Sequence, residues 1–266
     1  MKKERTRPKI QTAAIVIPAA LVISILIFKF VFGDPSNFIG NDSHNLPLQG
    51  NFSGTIYKGG FIVPILMTFL LVVITFCIER YITITRAQGK SSSVMLIENV
   101  KKHLEKNEID EAMELCDHHK GSLGNVIKSG LIKYQDIEKD GTMSKEQKTL
   151  AIQKDIEEST SLELPTLEQN LVILATLSSV STLMGLLGTV LGMIRSFAAM
   201  ANAGAPDSIK LATGISEALI NTAFGIGTAA IAVIMYNYFT SKIDRITYSI
   251  DEAGYTLVQT YAAAHK

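Results

Sequence analysis

Four windows of this chain hold no charged residue and are long enough to cross a hydrocarbon core of about 30 Å as helices: 10–28, 59–78, 169–194 and 218–241. With their flanks they predict membrane helices at 10–32, 59–79, 169–203 and 211–241. Residues 80–168 hold most of the charge, and their apolar positions recur at helical rather than alternating steps. Ile97, Val100, Leu104, Ile109, Ala112, Met113 and Leu115 form one such series, and a second runs from about Ser144 to Leu162. The fold class that follows is an all-α membrane protein, with four transmembrane helices and a helical cytoplasmic domain between spans two and three. Gly121, Gly124, Gly130 and Gly141 read as breaks within that domain, and Pro165 as a bend before the third span. Residues 33–58, rich in Gly, Asn, Ser and Pro, read as an extended loop, 204–210 as a short turn, and 242–266 as a tail continuing the last helix.

Charge adds an orientation. Basic residues crowd 1–9, follow the second span at Arg80, Arg86 and Lys90, and follow the fourth at Lys242 and Arg245. The positive-inside rule then places both termini and 80–168 in the cytoplasm, and the 33–58 loop and 204–210 turn on the other side of the membrane. The first apolar run is longer than a signal peptide's core of ~7–15 residues and is read as an uncleaved span. Hydrophobic residues make up 47% of the chain, and the formal net charge of zero gives no ground to expect a nucleic-acid partner. The two cysteines, Cys77 and Cys116, read as reduced thiols. Cys116-Asp117-His118-His119, with His103 upstream, fits no common metal-ligand spacing and reads as a solvated helix end. No metal, cofactor or enzymatic activity is expected.

The chemistry concentrates in the last two spans, which carry Gly185-Leu186-Leu187-Gly188-Thr189-Val190-Leu191-Gly192 and Gly214-Ile215-Ser216-Glu217-Ala218-Leu219-Ile220-Asn221-Thr222. Folding them as an antiparallel hairpin about Pro206 brings Thr189 level with Thr222, and Arg195 level with Glu217 nearer the turn. Ser181, Gly185, Gly188, Gly192 and Ser196 make a stripe of small residues on one helix, and Gly214, Ala218, Thr222, Gly225 and Ala229 another, a pattern that lets helices pack closely. At 100° per residue Glu217 points roughly 140° away from Thr222, alongside Asn221 and Thr228, so the two do not share one facing. A membrane threonine commonly bonds back to its own preceding turn; the alternative is that this pair lines an ion path. A charge at the membrane centre costs roughly 2.5–3.5 kcal/mol on insertion scales. Glu217 is therefore either paired, for which Arg195 is the level partner, or directly involved in ion movement. Glu217, Arg195 and Asn221 are expected to be buried.

At these motifs the chain resembles the MotA/TolQ/ExbB ion-channel family over about residues 60–245. Further matches are Tyr236-Asn237, Ile78-Glu79-Arg80 with Arg86-Ala87, and Asp110 through Cys116. The likeness is greatest to ExbB and TolQ, and it implies a homo-oligomeric, pentameric ring around an ExbD- or TolR-like single-span partner whose aspartate takes up the ion. It further implies that Thr189 and Thr222 line the pore, that Glu217 is the family's buried glutamate, and that the proton motive force is passed to a TonB- or TolA-type transducer. The chain departs from the usual three-span pattern in its added span, 10–32, and has Thr182 where a proline commonly precedes the glycine run. Four spans are also found in MotA, which makes a MotA-like flagellar or gliding stator the nearest alternative. The short tail and the Gly214–Thr222 run favour the ExbB/TolQ pattern. A partner-independent channel or transporter and a structural membrane scaffold are the alternatives from other classes.

Overall fold

In the computed structural model, which describes residues 10–139, 142–202 and 208–264, helices dominate. In chain order they are α1 (Ile10–Ile27, extended by a π-helical turn at Phe28–Phe32), α2 (Phe52–Tyr57), α3 (Ile62–Ala87), α4 (Ser93–Glu105), α5 (Ile109–His119), α6 (Ser122–Glu138), α7 (Lys145–Glu168), α8 (Leu171–Asn202) and α9 (Ser208–Ala264). Among the described residues, four stretches are long and apolar enough to cross a membrane: Ala13–Phe32, Ile62–Ala87, Lys145–Ala198 and Ile209–Ala264. The chain is thus an all-helical, multi-pass membrane protein. It divides into two units, Met1–Cys77 with Ile173–Tyr236, and Ile78–Val172 with Asn237–Lys266.

In the first unit the apolar face of α3 is buried through Ile62, Val63, Leu66, Val73 and Phe76, while α1 leaves Ile15, Val22, Ile25 and Leu26 exposed, as suits a helix bordered by lipid. The 33–58 segment differs from the extended loop expected of it. Phe38 is fully buried beside the Tyr57 ring, with centroids 5.6 Å apart, and a single antiparallel bridge joins Phe38 to Pro47. Asn37 donates to the carbonyls of Val31 and Phe32, freed where the first helix ends, at 2.8 and 3.2 Å. Asn51 caps α2 by accepting from the Gly54 amide at 3.0 Å. Short polar side chains that looked like loop composition are here the partners of backbone groups. Pro206, about which the hairpin was folded, lies outside the described residues, as does most of its turn.

The second unit is a helical bundle. The first amphipathic series is split in two, because Asn107 takes a left-handed φ of 63° between α4 and α5. Gly124 and Gly130, expected as breaks, lie inside α6, where each meets a close neighbour, the Cys116 carbonyl and Ile156 respectively. The second series begins at a capping box on Ser144 and Gln147, as its sequence suits. Pro165 does not end α7. The chain breaks at Gln169 and Asn170, where Asn170 has φ 64°. There the fully buried Arg80 donates to the carbonyls of Thr166 and Leu167 at 3.3 and 3.2 Å and pairs with Glu79, which also accepts from Asn170 at 3.3 Å. A guanidinium satisfying the last carbonyls of a helix is the charge arrangement its dipole favours. The end of α9 joins this core through Ile243, Ile246, Ile250, Ala253, Leu257 and Tyr261, spaced by three or four; Tyr261 meets Tyr134 edge-on at 4.7 Å.

The Cys116–His119 segment corrects another expectation, since Cys116 and His119 are buried and only the intervening side chains face water. The His119 ring lies over Gly89, whose φ of +79° and lack of a Cβ leave room for it, and Nδ1 is 2.7 Å from Ser91 Oγ. The His119 carbonyl accepts from the Lys90 amide at 2.9 Å. Burial, with Asp117 adding to it, pushes the Cys116 thiol up to about 12. In a Cys77→Ser background, maleimide at pH 8 should therefore modify Cys116 at least about 100-fold more slowly in the folded protein than in denaturant. Equal rates would place Cys116 at the surface. Burial also lowers the pKa of His119. The unfolded chain binds this proton near pH 6.5 and the folded chain only at lower pH, so this contribution to stability is complete above about 6.5 and is lost as pH falls. Hydrogen exchange of the α5 and α6 amides should accelerate between pH 6.5 and 5, after correction for intrinsic rates, and less so in His119→Gln.

Candidate functional site

The site lies in the first unit, where α8 and α9 run against each other in backbone contact. A Cβ on Gly225 would come 2.6 Å from the Ser181 carbonyl, one on Gly192 would come 2.8 Å from the Gly214 carbonyl, and one on Gly188 would come 2.7 Å from Asn221 Cγ. Gly185 and Gly214 are equally confined, by Asn221 and Gly225 on one side and by Ser196 and Gly192 on the other. The helices approach this closely because these positions carry no side chain. Ser196 adds a cross-link by lying 3.3 Å from the Leu211 carbonyl.

This approach sets the threonines against each other. Thr189 Oγ1 and Thr222 Oγ1 share a hydrogen bond, Thr189 lies 3.3 Å from both the Gly185 and Ala218 carbonyls, and Thr222 lies 3.2 Å from the Ala218 carbonyl. The back-bonding arrangement and the cross-helix pair are thus both present. Two hydroxyl protons have more acceptors here than they can fill, so the direction of the shared bond is free to reverse. Both residues are partly exposed in the protomer.

Glu217 and Asn221 meet both α8 and the head of α3. Glu217 is 6% exposed and Asn221 fully buried, whereas Arg195 is not buried as expected: its side chain is 49% exposed. The guanidinium pairs with Glu217 and lies over the Phe61 ring, with Cζ 5.5 Å from its centroid. The buried partners of this cluster come from the turn before α3, which sequence reading had passed over. Asn221 Nδ2 donates to the Gly59 carbonyl at 3.0 Å, and Gly60, with φ +76°, lies so close to Glu217 that a Cβ would be 2.5 Å from Oε1. The signal for it was the Gly59-Gly60 pair at the head of a membrane helix. Asn221 Oδ1, Ser181 Oγ and Thr228 Oγ1 are buried in this unit with no protein hydrogen-bond partner. Groups of this kind ordinarily take water.

This geometry makes Arg195 and Glu217 a coupled pair. In a double-mutant cycle with Arg195→Gln and Glu217→Gln, thermal stability in detergent should show an interaction of roughly 0.5–1 kcal/mol, the modest size reflecting the exposed guanidinium. Strict additivity would remove the pair.

Comparison with known proteins bears on what such a hairpin belongs to. The family model described as MotA/TolQ/ExbB proton channel family matches residues 118–252, just over half of the chain and including α8 and most of α9. The earlier resemblances at Ile78–Ala87 and Asp110–Cys116 lie outside that match. Among curated relatives, the chain is 39% identical over 88 residues to a putative biopolymer transport protein ExbB-like 3 of Synechocystis, covering 32% of this chain and 42% of that protein. It is 40% identical over 84 residues to the Tol-Pal system protein TolQ of Haemophilus influenzae, covering 32% of this chain and 37% of the other. A longer alignment, 27% identical over 199 residues, joins it to a putative ExbB homolog of Methanothermobacter thermautotrophicus, with 73% of this chain and 66% of that one covered. The first two matches thus span about two fifths of each relative's length. By the family match, the chain belongs to the MotA/TolQ/ExbB proton channel family and is most like its ExbB and TolQ members.

Proposed function

We propose that this chain is the ring-forming stator subunit of an ion-driven motor in a bacterial inner membrane, with both termini and the helical bundle in the cytoplasm. Five copies surround an ExbD- or TolR-like single-span partner, and Thr189 and Thr222 line the path beside that partner's ionisable aspartate. The observation that carries this reading is the threonine pair, in which either of two hydroxyls from facing helices can donate to the other at a glycine-bounded contact. Such a pair passes a proton or solvates a hydrated ion without itself becoming charged. Buried polar atoms on Ser181, Asn221 and Thr228 support a partly hydrated unit. Glu217, paired with Arg195 and set against Gly60, holds the hairpin against the head of α3.

Each charge crossing the membrane releases about 2.3 kcal/mol per 100 mV. In the proposed cycle, protonation and release at the partner's aspartate turn it within the ring, and that motion is delivered to a TonB- or TolA-like transducer. No covalent step is involved, and the protein is not an enzyme in this reading. In cells expressing the chain with its partner, Thr189→Ala combined with Thr222→Ala should reduce proton flux and transducer-dependent uptake at least about tenfold while the complex still assembles. Unchanged flux would sink the pore assignment. Flux from the purified chain alone in liposomes would instead favour a partner-independent channel.

A further inference from the structure

A second feature of the first unit stands apart from the threonine pair: the way the 33–58 segment is fastened to the end of the first span. Both ends of α2 are tied to the last turn of that span. At one end the Tyr57 ring stacks on Phe28 with centroids 4.8 Å apart, and Gly33 leaves room for it, since a Cβ there would come 2.6 Å from Tyr57 Cε2. At the other end Asn51 Nδ2 donates to Asn37 Oδ1 at 2.9 Å, and Asn37 donates in turn to the Val31 and Phe32 carbonyls. Phe28 and Phe32 begin and end the π-helical turn that closes the span, so α2 lies beside that turn rather than out in water above it. Lys29 marks the depth. A lysine this close to the end of an apolar span carries its ammonium to the headgroups, and here Nζ lies 5.9 Å from the centroid of the Phe30 ring.

At this depth α2 begins with a phenylalanine turned outward. Phe52 is 82% exposed, Leu48 in the turn before it 44%, and Phe30 and Val31 on the span 66% and 53%. The chain of hydrogen bonds from Asn51 through Asn37 to Val31 makes Phe52 continuous with the lipid-facing end of α1. The polar groups of the segment are disposed as a bilayer boundary demands. Asn45 donates to the Ile39 carbonyl and Thr55 to the Asn51 carbonyl, both at 2.8 Å, and Lys58 donates to the Ser43 and His44 carbonyls at 3.0 and 3.1 Å. Polar side chains thus satisfy the segment's own backbone, which is what a non-helical stretch touching hydrocarbon requires. Asp34, the acidic residue next along from the span, is engaged locally and accepts from the Ser36 amide at 2.9 Å. We propose that Phe52, with Leu48, Phe30 and Val31, is seated in the boundary between headgroups and acyl chains, so that the added span and the segment after it form one lipid-binding surface. This rests on α1 crossing the membrane, and not on a ring, a partner or ion conduction by Thr189 and Thr222.

The chain contains no tryptophan, so a single replacement reports one position. In the full-length protein reconstituted into vesicles of phosphatidylcholine and phosphatidylglycerol, Phe52→Trp should emit to the blue of Glu98→Trp, which lies on the exposed face of α4. It should also lose about half of its emission to phosphatidylcholine brominated near the headgroup, since interfacial apolar side chains lie about 5–10 Å deep. Bromine near the chain ends should quench it less, whereas Val22→Trp, midway along the first span, should show the reverse order. Leu48→Trp should repeat the Phe52→Trp pattern, and it carries the test if Phe52→Trp departs from the parent in circular dichroism or melting. Emission and iodide quenching equal to those of Glu98→Trp overturn the proposal. Shielding of Phe52→Trp from both iodide and brominated lipid also overturns it and assigns the surface to a second copy of the chain. Water-like emission that moves to the blue only when a single-span partner is reconstituted alongside overturns it in favour of that partner.

Discussion

The contact on which the membrane unit depends is the meeting of two helix backbones along Gly185, Gly188 and Gly192 on α8 and Gly214 and Gly225 on α9. In lipid no hydrophobic gain draws two apolar helices together, so van der Waals contact between closely fitted backbones has to do it. The same closeness sets every other distance in the site. A hydroxyl reaches only a short way from its Cα, and Thr189 and Thr222 bond across the interface because glycines on both helices let the backbones come close around them.

A second constraint is set by Glu217 and Asn221, polar groups buried where water is scarce. Arg195 pairs with Glu217 from the facing helix, and the Gly59 carbonyl, in the turn before α3, accepts from Asn221 Nδ2. Gly60 serves the same end by offering no Cβ where the carboxylate must lie. The polar cluster thereby fixes α9 to two neighbours at once, while the small-residue stripe fixes it to one. Specificity of packing comes from the polar groups and closeness from the glycines.

Much of this was legible in the sequence. Charge-free windows marked four membrane helices, and equal spacing from the turn paired Thr189 with Thr222 and Arg195 with Glu217, because an antiparallel helical hairpin has only one depth coordinate. Less legible were features that depend on contacts distant in sequence. Asn221 bonds to a carbonyl 162 residues away, which no local pattern encodes. Arg80 read as a topological charge, yet it is fully buried and serves the end of α7. Gly124 and Gly130 read as breaks by their propensity, whereas they lie within α6 because neighbouring groups need the space. Cys116 and His119 looked solvated because the residues between them are polar, while helical geometry puts positions three apart on one face, which here is buried.

The glycine contact also has a mechanical meaning. Two helices joined by long side chains can slide or roll as rotamers adjust, but backbones in direct contact have almost nothing between them to deform. The α8–α9 hairpin is therefore a stiff element. Its compliance lies on the outward faces, where Leu183, Leu186, Val190 and Ile194 on α8 and Leu219 and Ile226 on α9 are exposed in the protomer. Any displacement imposed on this unit is taken up at those soft aliphatic surfaces, and the hydroxyl pair at its centre keeps its spacing throughout.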